Sequence, residues 1–212
     1  MHSDGNTLPD DVDEALVVGA HRLDGSADAF VLAHLDDPLA RRRILALRAA
    51  HRRGLQSPEQ WGRALDDVDA RVRRESLAMI ADTASDDPTL RDAVIARLGD
   101  ADPLVVDAAA FALGELLEVG AVEKLIEVAT SHDDARCRES AIAALGAIGD
   151  DRARDAIVGA LDDKPPVRRR AIVALANFEG PDIDAALARA SEDRDWQVRA
   201  AVDQLGRDEP DS

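Results

Sequence analysis

The sequence predicts an all-α protein, a right-handed α-solenoid of about six helix pairs behind an N-terminal capping helix. Three observations carry this. First, a ten-residue helical phrase recurs, beginning at Leu39, Val72, Val105, Cys137, Val167 and Val198, in steps of 33, 33, 32, 30 and 31 residues. A unit of that length cannot bury its apolar face alone, so neighbours must stack into an array. Second, helix formers dominate: apolar residues make up 46%, much of it alanine, aromatics are only 2%, and β-branched runs are absent. Third, each phrase follows an acidic turn and an earlier apolar segment, so the unit reads helix, turn, helix.

Along the chain, residues 1–11 and 207–212 are expected to be disordered, with one continuous array over 12–206. Val12 to Leu23 reads as the capping helix. First helices carry Phe30–Leu35, Trp61–Leu65, Ala93–Leu98, Val122–Val128, Ala156–Leu161 and Ile183–Leu187. Ser57-Pro58-Glu59-Gln60 is a strong helix start, with Ser as N-cap, Pro at the first helical position and Gln at the third. Asp36, Asp69, Asp102, Asp134 and Asp195 each lie three residues before an anchor, where a carboxylate caps the second helix and suits its dipole. Lys164 breaks that series, beside Asp163. One residue after the anchor come Arg73, Arg138, Arg168 and Arg199. Arginine in a first turn is locally unfavourable, so these are expected to pair with turn aspartates of the same or the next unit. Gly114, Gly146 and Gly206 fall at matching places and are expected to end or bend second helices.

The turn Asp, the Val-Arg pair and the following Ala-x-x-Ala-Leu-Gly resemble short HEAT-like repeats of the phycobilisome lyase-like type. Val167-Arg168 with Ala171, Ala174 and Leu175 is the cleanest copy, and the resemblance covers about residues 25–206. It implies six HEAT-like helix pairs whose second helices line a concave groove. Tetratricopeptide and ankyrin signatures are missing.

Direction on the second helices follows from about 100° per residue. Counting each anchor as zero, positions 4, 5, 7 and 8 are apolar and face the core, while 2, 3, 6 and 10 point to the groove. This selects Arg41, Arg74, Asp107, Glu139 and Arg169 at position 2, Arg42, Glu75, Ala108, Ser140 and Arg170 at position 3, Phe111 at position 6 and Glu115 at position 10. The expected binding residues are Phe111, Asp107, Glu115, Arg41, Arg42, Arg74, Arg169 and Arg170, with Phe111 as the apolar centre of a polar ring. The alternative for Phe111 is packing between neighbouring second helices.

Charge sets further limits. The net charge is -17, from 32 Asp and 11 Glu against 24 Arg and 2 Lys. That acidic, Lys-poor balance resembles cytosolic proteins of salt-in halophilic archaea; codon bias in a GC-rich genome gives a similar profile. Residues 1–38 carry net -8 and residues 39–74 net +6. The basic island either meets an acidic partner or neutralises the acidic cap packed beside it, and the second reading is favoured. Trp61 and Trp196 read as packing or end-cap residues. Cys137, the only cysteine, stands where other repeats have Val or Leu, which makes it a small buried apolar residue.

Catalytic readings find little support. His2, His21, His34, His51 and His132 share no repeat position and none is followed by Glu, so no metal or other cofactor is expected. No Gly-rich phosphate loop or G-x-S-x-G elbow occurs. One basic island on an acidic chain is a poor nucleic-acid footprint. No segment reaches the roughly 18 apolar residues of a membrane span, and the acidic N-terminus is unlike a signal peptide. The expectation is a cytoplasmic, monomeric, non-catalytic scaffold or adaptor that binds another protein in the concave groove. The alternatives are a lyase-like HEAT enzyme and a nucleic-acid-binding HEAT protein.

At net charge -17 the folded chain repels itself, and salt screens that repulsion. The thermal unfolding midpoint is therefore expected to climb as KCl rises from millimolar to molar. A flat or falling curve would assign the composition to codon bias.

Overall fold

The computed structural model describes residues 8, 10–22, 25–83 and 87–208. Among these residues it holds thirteen α-helices and no strand. The capping helix α1 (Val12–Gly19) is followed by six successive pairs: α2 (Asp28–Ala33) and α3 (Ala40–Arg53); α4 (Pro58–Leu65) and α5 (Ala70–Ala81); α6 (Pro88–Ala96) and α7 (Pro103–Glu115); α8 (Val122–Ser131) and α9 (Ala135–Ile148); α10 (Arg154–Gly159) and α11 (Pro165–Leu175); α12 (Pro181–Ala190) and α13 (Trp196–Asp208). The all-α fold, the six pairs and the capping helix are as the sequence predicts.

The contacts separate two units, Met1–Ala93 and Val94–Ser212. In the first unit α1 packs on α2 and α3, α4 on α5, and α3 on α5. In the second, α7, α9, α11 and α13 pack in series, with α8 on α9, α10 on α11 and α12 on α13. Asp11 caps α1, accepting the Glu14 N–H at 2.9 Å, and α13 runs on to Asp208. The rest of the ends expected to be disordered lies outside the described residues, apart from residues 8 and 10, and so does Leu23.

Local chemistry explains where helices start and stop. Asp69, Asp102, Asp134 and Asp195 each accept a backbone N–H two residues on, at 2.9 Å, and so cap second helices. Ser57 and Gln60 form the reciprocal capping box. Gly54 and Gly149 close α3 and α9 with φ of 64° and 68°, a region that favours glycine. Gly114 and Gly146 lie in the last turns of α7 and α9, near the helix ends where the sequence reading placed them, and both are buried. A Cβ at Gly146 would lie 2.5 Å from Ala174 Cβ, and one at Gly114 3.0 Å from Ala144 Cα. These glycines let neighbouring second helices approach backbone to backbone.

The repeats are joined by a recurring arginine fork. Arg43 donates through Nε and Nη2 to the Asp67 carboxylate, both at 2.6 Å, and through Nη1 to Asp37 O at 2.8 Å. Arg138 does the same to Asp163, at 2.6 and 2.7 Å, and to His132 O at 2.7 Å. Arg168 reaches Asp193 at 2.9 and 2.7 Å and Asp163 O at 2.8 Å. Each fork thus clamps its own turn through a carbonyl and the next repeat's turn through a bidentate carboxylate. The acceptor aspartate in turn takes a backbone N–H of its turn, as Asp67 does from Asp69 at 2.8 Å and Asp193 from Asp195 at 2.7 Å. The expected ladder therefore exists, with a division of labour the sequence reading missed. The aspartate three residues before the anchor caps the helix, and the one four or five residues before it receives the fork. At α7 both members change together: Val106 stands where the Arg would be, and His132 where the Asp would be.

The fork also corrects the register of the first repeat. Arg43 is its position 1, so the anchor is Arg42 and not Leu39, a shift of three residues. Leu39 is the α3 N-cap residue, its N–H held by Asp37 at 2.8 Å, while Asp36 lies exposed near Arg63. Other anchors, such as Val72 and Val105, are buried, whereas Arg42 lies beside α1 and bonds Asp13 at 3.0 Å.

Cys137 is a buried free thiol whose Sγ donates to Pro103 O at 3.2 Å, and burial pushes its pKa up to about 11. It is a packing residue, as expected.

Arg168→Ala is expected to cost about 1–3 kcal/mol in chemical denaturation, because it strips a partner from Asp193 at a site where the arginine is only 4% exposed. Arg170→Ala should cost about 0–1 kcal/mol, since its ion pair is solvated. Equal effects would make the fork solvated charge.

The forks also set the acid response. The Arg168 and Arg138 guanidinium groups, bonded to Asp193 and Asp163, hold both carboxyls below the ordinary 3.8, and Arg71 and Arg136 hold the caps Asp69 and Asp134 at about 2. A carboxyl depressed by folding contributes stability that is present above its unfolded pKa and lost as pH falls through the folded one. The unfolding midpoint should therefore drop between pH about 4 and about 2, and less steeply in Arg168→Ala.

Candidate functional site

The candidate site is the second-helix face of the second unit. On α7 the core side comprises Val105, Val106, Ala109, Ala110, Ala112 and Leu113, each 0% exposed, while Phe111 is 55% exposed. Position 6 thus points away from the core, as helix geometry predicts. Phe111 and Glu115 border a depression of about 270 Å³ shared with Glu139, Ser140, Ala143, Ala144 and Ala147 of α9, Arg170 of α11, and Gly114. The depression exists because α9 offers alanine where α7 offers phenylalanine, and because the Gly114–Ala144 contact leaves little side chain above the floor.

The polar rim is partly self-satisfied. Ser140 Oγ donates to the Asp107 carboxylate across α7 and α9. Arg170 Nη2 lies 3.7 Å from Glu139 Oε1. Arg169 Nη1 donates to Gln197 of α13 at 3.3 Å. Val173, the position-6 residue of α11, is 49% exposed. Of the residues selected from sequence, Phe111, Glu115 and Arg170 therefore share one depression, Asp107 adjoins it through Ser140, and Arg169 turns towards α13. Ala144 was assigned to the core and Gly114 to the end or bend of a helix; the Gly at position 9 facing an Ala at position 7 of the next phrase was the available signal.

Arg41, Arg42 and Arg74 stand in the other unit. Arg74 is exposed. Arg41 and Arg42 both pair with Asp13 of α1, at 3.2 and 3.0 Å, a consequence of the shifted register. Arg53 bonds Asp28 and Gly19 O, and Arg48 reaches Glu75 at 2.6 Å. Three arginines of the basic island thus pair with acids of the N-terminal segment, whereas Arg43, Arg48 and Arg71 pair with Asp67, Glu75 and Asp69 outside it. Trp61 is buried and meets His51 edge-on at 5.8 Å. Trp196, expected to pack, is 67% exposed in the first turn of α13. Among the described residues no group of three or more His, Cys, Asp or Glu is arranged to hold a metal ion, and no helix is long and apolar enough to cross a membrane.

The family model for HEAT repeats matches residues 58–146 and 122–206. The chain belongs to the HEAT-repeat family. No curated protein matches it. Among solved structures this HEAT-repeat chain is similar to the CpcE–CpcF complex of phycocyanin lyase from Nostoc sp. PCC7120, at 23% identity and a TM-score of 0.63, over 71% of this chain and 64% of that one. It is similar to a designed armadillo repeat protein in complex with the peptide (KR)4, at 17% identity and a TM-score of 0.56, over 91% and 97%. It is also similar to Kap121p, at 13% identity and a TM-score of 0.70, over 92% of this chain and 24% of that one. These likenesses speak for the fold.

Proposed function

We propose that this HEAT-repeat chain is a non-catalytic scaffold or adaptor that binds a protein partner on the second-helix face of its second unit. The observation that carries the reading is Phe111. An aromatic side chain more than half exposed, in a chain with five aromatics, borders a small-residue depression that also carries charged side chains. Binding surfaces concentrate their energy in such anchors. The volume, about 270 Å³, lies at the low edge of the roughly 300–1,000 Å³ of small-molecule sites, and it accommodates a side chain better than a cofactor. The designed armadillo protein is in complex with a peptide, which fits this mode of use.

Phe111→Ala should weaken partner capture by about 2 kcal/mol, some thirtyfold, while helicity and unfolding midpoint stay nearly unchanged. Capture from native lysate at molar KCl, quantified by mass spectrometry for wild type and variant, reads the first; circular dichroism reads the second. A stability loss of about 3 kcal/mol or more would make the ring core. Unchanged capture would remove this face from the binding reading.

A further inference from the structure

The binding-face reading leaves the partner's chemistry open, and the α7 end of the depression narrows it. Phe111 and Glu115 lie one helical turn apart on the same face of α7, with Glu139 of α9 on the same depression. An exposed ring face attracts a planar cation, and a carboxylate one turn on accepts two parallel N–H bonds. Guanidinium meets both demands, and ammonium meets them less well. The same combination already occurs inside the chain. Arg154 places its guanidinium carbon 5.8 Å from the Phe178 ring centre while Nη1 donates to Asp182 at 3.2 Å.

The far end of the face has the opposite charge. Arg169 and Arg170 stand on α11, and Arg170 reaches back to Glu139 at 3.7 Å. Between the ends, Phe111, Ala143 and Val173 occupy the same register position on α7, α9 and α11. Adjacent helices lie about 8–10 Å apart, the span of about three residues of extended chain. We infer that this face takes an extended segment of a protein partner, with an arginine side chain stacked on Phe111 and bonded to Glu115, and an apolar residue about three positions along over Ala143. Resting on the binding-face proposal, this adds the class of residue recognised and its direction.

Arg170 is a like charge on the same depression and holds Glu139 at 3.7 Å, so its removal frees a second carboxylate near the incoming arginine and should improve binding. The test uses fluorescein-labelled octa-arginine, octa-lysine and octa-glutamate peptides, read by anisotropy at about 1 M KCl, where long-range attraction to the acidic chain is screened. Octa-arginine should bind several-fold more tightly than octa-lysine, and octa-glutamate not at all. Phe111→Ala and Glu115→Gln should each weaken octa-arginine about tenfold, and Arg170→Ala should tighten it about threefold. Equal binding of the two basic peptides, a wild-type affinity in Phe111→Ala, or weaker binding in Arg170→Ala would overturn the assignment. If Phe111→Ala abolishes partner capture while octa-arginine binds every variant alike, the binding face stands and its arginine subsite falls. If neither responds, both fall.

Discussion

The structure depends on one interaction, the arginine fork that ties α3, α9 and α11 each to the turn of the next repeat. A solenoid repeat has no core of its own, so its stability is intrinsic folding plus the interface with its neighbour. In this chain the interface is made largely of alanine, valine and leucine, which bury little area per residue. Small side chains allow close approach but set register weakly. The fork supplies register. Its three donors fix two turns at once, one by a carbonyl and one by a bidentate carboxylate, and the carboxylate is itself held by a turn N–H. Guanidinium suits this task because its donors are planar and preorganised.

The same device orders the chemistry around it. Turn aspartates cap helices, receive forks or both, so much of the acidic surplus is structural and not free charge. The basic island beside the capping helix follows the same logic, with Arg41, Arg42 and Arg53 paired to Asp13 and Asp28. What remains unconsumed is informative. On the second unit's helix face, Phe111 is 55% exposed and Glu115 is exposed, and the small residues opposite leave them accessible.

Much of this was legible in the sequence. The repeat period gave the fold, the six pairs and the capping helix, because stacking units must share a length. Helix geometry placed Phe111 outward, because the apolar positions on α7 define its core side without ambiguity. The first repeat was misplaced by three residues because the phrase beginning at Leu39 fits the apolar pattern. At the chain's first layer, position 0 meets α1 and no earlier repeat, so Arg42 is tolerated where others need Val or Cys. The pair Asp37 and Arg43, at the spacing of Asp67 with Arg73, was the signal that would have fixed it. The acceptor aspartates were missed because spacing alone cannot tell a cap from a cross-repeat partner. The division between residues 93 and 94 has no evident mark in the repeat pattern.

The central claim is that the fork couples repeats energetically. A double-mutant cycle on Arg138→Ala and Asp163→Ala, with stability read by chemical denaturation at molar KCl, tests it directly. These side chains contact each other at 2.6 Å and are largely buried. The account predicts a coupling of about 1.5–3 kcal/mol, the range of hydrogen bonds to charged groups and the upper part of that for contacting residues. A coupling below about 0.5 kcal/mol, the level of independent sites, would contradict it.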